Sequence, residues 1–131
     1  MEIINVLAAA AASWIFGAVY YMTLSKPWLA ASGIECDENG RPKNGGSPLP
    51  YILSAICMIL VAGMMRHVFA ASGITTLGTA AVSGFGIGAF FIAPWTMINN
   101  AYGGRPFMLT VIDGGYAICG CTLIGIILAL F

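Results

Sequence analysis

The chain has 131 residues, of which 60% are hydrophobic and only 8% are charged, and its mean hydropathy is +0.92. A water-soluble domain carries about 25% charged residues, so this composition excludes an ordinary soluble globule and indicates a lipid bilayer as the surrounding solvent. Five basic residues balance five acidic ones, and a chain without excess positive charge is not expected to bind nucleic acid.

Long, nearly charge-free stretches divide the chain into four predicted transmembrane helices. About 20 apolar residues are needed for a helix to cross a hydrocarbon layer of about 30 Å. Lipid admits only helices or closed barrels, because every backbone polar group must be satisfied within the protein, and the alternation typical of barrel strands is absent. The sequence therefore predicts an all-α integral membrane protein, a single four-helix domain with spans at about 3–24, 50–70, 75–99 and 107–130.

A short helix is expected directly after the first span, lying on the membrane surface. Ser25 can cap its N-terminus, and Gly33 fits its C-terminal end. Lys26 and Trp28 are residue types that favour the membrane interface, which places this helix beside the headgroups.

Segment 35–48 is polar and rich in Gly, Pro and Asn, which predicts a solvated loop. The alternative is a metal site built from Cys36, Asp37 and Glu38, but no histidine lies near them. The only histidine, His67, is too close to the end of the second span for axial haem ligation. No common catalytic motif is present, so we expect no metal, no cofactor and no catalytic residue.

Small residues at four-residue spacing predict which spans pack closely, since helices in lipid associate where backbones can approach. Such ladders occur in the first, third and fourth spans, whereas the second span is bulkier and is expected to be peripheral. The ladders are Ala9, Ser13 and Gly17, then Ala80, Gly84 and Gly88, then Ala117, Cys121 and Gly125.

Pro94 lies within the third span. A proline inside a helix donates no backbone hydrogen bond and clashes with the carbonyl four residues earlier. The helix is therefore expected to be disturbed at this point, with the carbonyl of Phe90 left without its usual donor.

Asp113 is the only acidic residue of the fourth span, six residues after Phe107. A charge at the centre of a membrane helix costs about 2.5–3.5 kcal/mol, and a rise of 1.5 Å per residue places Asp113 about 9 Å below the interface. In a structural interpretation the carboxylate is hydrogen-bonded to Asn or Tyr side chains. In a functional one it carries a proton or binds a cation. Gly114 and Gly115 are expected to leave room beside it.

Other polar residues are brought to the same end of the bundle by the predicted topology, and they are expected to cluster with Asp113. They are Tyr20, Tyr21 and Lys26 near the end of the first span, Asn99 and Asn100 near the end of the third, Arg105 before the fourth, and Tyr116 one turn after Asp113.

The basic residues predict the orientation, because cytoplasmic loops carry more Lys and Arg. Loops one and three share a side and contain Lys26, Arg41, Lys43 and Arg105, whereas the opposite side has Arg66. The excess predicts a multi-pass protein of the cell inner membrane with loops one and three in the cytoplasm and both termini outside.

Two short blocks, one at the exit of the first span and one around the start of the fourth, carry a family pattern. They are Gly17, Tyr21, Lys26, Trp28 and Gly33, and Gly104-Arg105-Pro106 followed by Asp113-Gly114-Gly115-Tyr116. This pattern resembles a bacterial membrane family catalogued as domain of unknown function 1761. The resemblance implies a small four-span protein without an assigned activity, and it suggests that the exit of the first span and the Asp-containing helix form one unit.

The sequence favours a non-enzymatic structural or accessory subunit of a membrane assembly. Its expected partners are the lipid bilayer and either other membrane subunits or a second copy of the chain. The alternative is a small transporter or channel in which Asp113 is the proton- or cation-coupling carboxylate.

Overall fold

The computed structural model describes residues 2–34, 38 and 48–131, and the regular structure in those residues is entirely helical. Four stretches are long and apolar enough to cross a membrane, which confirms the all-α class, the four spans and the short helix after the first. Within the predicted loop 35–48, only Glu38 and Pro48 are described, and the interpretation of its other residues lies outside the described part of the chain. The helices are α1 (Glu2–Thr23), α2 (Ser25–Ser32), α3 (Leu49–Ser72), α4 (Leu77–Ile87), a π-helical turn (Gly88–Ile92), α5 (Ala93–Tyr102) and α6 (Phe107–Leu130).

The junction between α1 and α2 is a single residue, Leu24. The expected Ser25 cap is wrong: Leu24 takes the N-cap position without a side-chain cap bond, and Ser25 is already helical. Backbone bonds run through the junction, because Leu24 donates to Tyr20 and accepts from Trp28, each over 3.0 Å. At the other end, Gly33 closes α2 with a left-handed φ of 74°, as predicted.

Helix α6 lies at the centre of the bundle, with α1 packed on one side and the third span (α4, the π-helical turn and α5) on another. Helix α3 packs mainly on α1 and touches α6 only slightly, so the second span is the peripheral one. The small-residue ladders thus predicted the right pairs, although spans one and three meet α6 rather than packing extensively on each other. The apolar core fills the half of the bundle near the C-terminal part of α6, and includes Ala9, Ala62, Met65, Ala80, Cys121, Ile124 and Leu128.

The third span packs on α6 with its backbone. A Cβ added to Gly84 would collide with the carbonyl oxygen of Cys121, and one added to Gly88 would lie 2.5 Å from the carbonyl oxygen of Ala117. From the other side, a Cβ on Gly125 would lie 2.5 Å from the carbonyl oxygen of Ala80 in α4. The third span and α6 are therefore antiparallel: each contact four residues later in the third span lies four residues earlier in α6.

The expected disturbance at Pro94 takes the form of the π-helical turn directly before it. In this turn the N–H of Ala93 donates to the carbonyl of Gly88, five residues earlier. A π turn widens the helix by one residue, and this accommodates a proline ring that would otherwise meet the preceding turn.

Replacing Gly84 by Ala should lower the free energy of unfolding by about 1–3 kcal/mol, because the new methyl group meets backbone that cannot rotate away. The matched control is Gly86→Ala, since a Cβ at Gly86 meets nothing within 4 Å. That substitution should leave stability unchanged or raise it by up to about 1 kcal/mol. Reversible unfolding by sodium dodecyl sulfate in mixed micelles measures both, and equal effects at the two glycines would contradict the close packing of α4 on α6.

Candidate functional site

The half-buried carboxylate of Asp113 accepts two hydrogen bonds, and both reach the same oxygen, Oδ1. The hydroxyl of Tyr21 donates over 2.7 Å, and the indole Nε1 of Trp28 donates over 3.2 Å. Among the described residues these two are the donors to the carboxylate. One oxygen atom therefore links α1, α2 and α6.

These two bonds offset the energetic cost of the carboxylate. A hydrogen bond to a charged group contributes about 1.5–3 kcal/mol, and placing the charge in a membrane helix costs about 2.5–3.5 kcal/mol. Trp28 was expected only as an interfacial residue, so its bond to Asp113 was missed. The family pattern grouped Tyr21, Trp28 and Asp113, but it gave no pairing between them.

Helices α1 and α6 also pack closely on each other, at small residues of both helices. A Cβ added to Gly17 would lie 2.7 Å from the hydroxyl oxygen of Tyr116, and one added to Gly120 would lie 2.9 Å from Oγ of Ser13. The Tyr116 hydroxyl donates to the backbone carbonyl of Ser13 over 3.0 Å. Asp113 lies one turn before Tyr116 on the same face of α6. The alignment of α6 with α1 therefore places Asp113 beside the C-terminal end of α1.

Tyr20 is bonded to the backbone of α6 and not to the carboxylate. Its hydroxyl donates to the carbonyl of Ile112 over 2.6 Å, and a Cβ on Gly115 would lie 2.6 Å from that hydroxyl oxygen. The expected role of the two glycines is therefore wrong: Gly115 makes room for Tyr20, and Gly114 faces Ala93 of the third span.

An aromatic cluster surrounds the carboxylate on the α1 side. It consists of Phe16, Tyr20, Tyr21, Trp28 and Tyr116, with ring centroids of contacting pairs 5.2–6.1 Å apart. Tyr116 touches three of the other rings, and Trp28 meets Tyr21 edge to face. Such pairs contribute about 0.5–1.5 kcal/mol each beyond area burial, so the cluster holds α2 and the exit of α1 against α6.

The remaining predicted residues do not bond to Asp113. Asn100 is buried, and its Nδ2 donates to Oγ1 of Thr110 over 3.0 Å. It meets the first turn of α6 and not the second, because only the short turn 103–106 separates α5 from α6. Lys26, Asn99 and Arg105 are exposed. The structural interpretation thus holds for a tyrosine donor but not for the asparagines.

A crevice of about 190 Å³ opens beside Asp113, between the second and third spans. Asp113 is one of its lining residues, but its walls, Asp113 included, are almost wholly apolar. No group of three or more His, Cys, Asp or Glu side chains that could hold a metal occurs among the described residues. The lining residues are Ser13, Met58, Val61, Ile92, Asp113, Tyr116, Ala117, Gly120, Cys121 and Ile124.

The far end of the bundle offers a different cleft. It has a volume of about 440 Å³, lies between α1 and α3, and is lined by Ile3, Ile59 and Arg66 among others. His67 also lines it and is exposed, as expected for an interfacial histidine.

The bond between Tyr21 and Asp113 should be measurable by a double-mutant cycle. Tyr21→Phe removes the donor and Asp113→Leu removes the acceptor, and the coupling free energy should be about 1–3 kcal/mol. Tyr51→Phe is the control, because Tyr51 is exposed in α3 and its effect should add to that of Asp113→Leu. Additive effects for Tyr21 in the same unfolding assay would show that the bond does not stabilise the fold.

A search of the curated proteins and a search of the solved structures found no match. A model of one family, described as protein of unknown function (DUF1761), matches residues 4–129. The match covers nearly all of the chain, including all four spans and the bonded carboxylate. The chain therefore belongs to this family of unknown function, and it has the helices of a multi-pass membrane protein.

Proposed function

We propose that the chain is a non-enzymatic structural or accessory subunit of an assembly in a bacterial inner membrane. The observation that carries this proposal is a difference between the polar groups at one end of the bundle: one is hydrogen-bonded within the chain, and the others are exposed. Asp113 is bonded within the chain, to α1 and α2, whereas Lys26, Asn99 and Arg105 at the same end are exposed.

The exposed groups stand on rigid elements, which supports a role in recognition. Helix α2 carries Lys26, and it is fixed to α6 through Trp28. Helix α5 carries Asn99 and Tyr102, and the side chain of Tyr102 is 91% exposed. Together with Arg105 these residues form what we call the end surface. Tyr and Arg are among the residues that contribute most at protein interfaces, so the end surface suits contact with another subunit.

The excess of basic residues in loops one and three supports a cytoplasmic position for the end surface. Both termini then lie on the outer side of the membrane. In this orientation the subunit presents its polar groups to cytoplasmic parts of its partner, while lipid or partner helices cover the large apolar side chains exposed along the spans.

Native mass spectrometry of the protein extracted from its own membrane in a mild detergent tests the assembly. The wild type should be recovered with other subunits or as an oligomer, and Lys26→Gln combined with Arg105→Gln should reduce the assembled fraction by about tenfold, equivalent to about 1.4 kcal/mol. The control is His67→Gln, an exposed polar residue at the opposite end.

A wild-type protein recovered only as a monomer would refute the assembly role, and so would an equal loss in the control. The same membranes report the orientation. A membrane-impermeant amine reagent should modify Lys26 in inside-out vesicles but not in intact spheroplasts, and the reverse would overturn the proposed sidedness.

A second candidate function is a small transporter or channel with Asp113 as its proton- or cation-coupling carboxylate. The observation that favours it is that Asp113 lines a crevice open between two spans. An ionisable group at such a place is a common feature of ion pathways.

Flux measurements on reconstituted vesicles distinguish this candidate. Wild-type protein should carry protons or monovalent cations down an imposed gradient, and Asp113→Asn should abolish the flux because the amide cannot ionise. Glu38→Gln removes an exposed carboxylate elsewhere and should leave the flux intact. Flux that is unchanged in the Asp113 variant would exclude the carboxylate from the pathway.

A further inference from the structure

We propose that the cleft between α1 and α3 binds a phospholipid, with the lipid phosphate on Arg66 and one acyl chain along the apolar walls. This site is independent of the proposed assembly role, because it lies at the opposite end of the bundle from the end surface and needs only one chain. Three features carry the proposal: the level of the cleft in the membrane, the order of its polar and apolar residues, and the space that Gly63 leaves in its wall.

The cleft begins at the level of the lipid headgroups. It is lined by Ile3, next to the start of α1 at Glu2, and by Ala70, two residues before the end of α3 at Ser72. The ends of membrane-spanning helices lie near the boundary between the headgroups and the hydrocarbon layer. A cleft that starts at this boundary and continues inward lies beside both the polar and the apolar part of a lipid molecule.

The polar side chains that line the cleft are Arg66, which is half-buried, and His67, which is exposed. Polar atoms form a clear part of its surface, in contrast to the crevice beside Asp113, and none of its described lining residues is acidic. Arginine stays charged in proteins, and its planar guanidinium can donate two parallel N–H bonds to one phosphate. Arg66 also has an interaction within the chain, but its five N–H donors allow it to bind a phosphate at the same time.

The deeper walls of the cleft are apolar. They include Leu7 of α1 and Ile59 of α3, and Ile59 lies seven residues before Arg66, about 10 Å further into the membrane. The cleft has a volume of about 440 Å³, within the range of about 300–1,000 Å³ for ligand sites. Beyond it, Trp14 donates to Ser54 over 2.8 Å and joins the two helices. A charged level followed by apolar wall matches the order of phosphate and acyl chain in a lipid, whereas a free phosphate would leave the apolar part unfilled.

Gly63 leaves space in the wall of the cleft that a larger side chain would fill. A Cβ added to Gly63 would meet one atom within 4 Å, Cγ1 of Val6 at 3.9 Å, which is ordinary van der Waals contact. Gly63→Leu therefore occupies the cleft without a collision of its Cβ with the backbone. The matched control is Gly86→Leu in α4, where an added Cβ meets nothing within 4 Å.

Native mass spectrometry of the purified chain in maltoside micelles, titrated with phosphatidylglycerol, tests the proposal. The wild type should bind one lipid molecule more tightly than any further ones. Arg66→Gln removes the charge and should weaken this first binding at least about tenfold, and Arg66→Lys, which keeps the charge, should weaken it less. Gly63→Leu should also weaken it about tenfold, whereas Gly86→Leu should leave it unchanged.

Two competitors test the wild-type protein without any substitution. Dioleoylglycerol has the acyl chains without the phosphate, and glycerol 3-phosphate has the phosphate without the chains, so neither should displace phosphatidylglycerol at equal concentration. Displacement by either compound would overturn the proposal, and so would full affinity in Arg66→Gln or in Gly63→Leu. A second copy of the chain in the cleft would instead give a dimer that Gly63→Leu dissociates and phosphatidylglycerol does not, and this result would also overturn it.

Discussion

The carboxylate of Asp113 must find its hydrogen-bond donors within the chain, because lipid offers none. This requirement explains the most irregular part of the fold. The chain breaks at Leu24 just after the first span, and α2 then returns across α6 so that Trp28 can join Tyr21 at a single carboxylate oxygen. The aromatic contact of Trp28 with Tyr21 and the burial of Ala31 also hold α2 to the bundle. The hydrogen bonds to this half-buried acid thus help to fix the position of an eight-residue helix.

Helix α6 can reach both neighbours because small residues lie on two of its faces. Toward the third span, Gly125 and Cys121 meet Ala80 and Gly84 at backbone distance. Toward α1, Gly120 meets the side chain of Ser13. Since helix association in lipid depends on close approach, these two registers fix how far each neighbour can slide along α6. The α1 register in turn brings Tyr21 level with Asp113, so the polar link depends on packing about two helical turns away.

The features that could be predicted from the sequence are those that depend on a regular pattern of residue types. Span positions follow from hydropathy, and the contact between Gly84 and α6 follows from four-residue spacing, because both signals need no partner to be recognised. The missed features depend on where a side chain points once two helices have met. Trp28 looked interfacial because its indole bond requires the turn at Leu24, and Gly115 looked like space for a carboxylate although Tyr20 fills that space. The topology predicts only that Asn100 and Asp113 lie at the same end of the bundle, and the tight turn before α6 presents Thr110 to Asn100 first.

The crevice follows from the same distribution of small residues. The third span places its glycines against α6, and its π-helical turn leaves Ile92 and Phe91 toward α3. Helix α3 has bulky residues at Met58, Val61 and Met64 on that side. Its polar side-chain contacts are made with α1 and α6: Trp14 donates to Ser54, and Ser13 and Tyr116 donate to the sulfur of Met58. Two bulky faces without small residues or polar bonds between them cannot close in lipid, so the gap stays open where Asp113 reaches the surface of α6. The carboxylate, whose two donors come from α1 and α2, therefore leaves the walls of this gap almost wholly apolar.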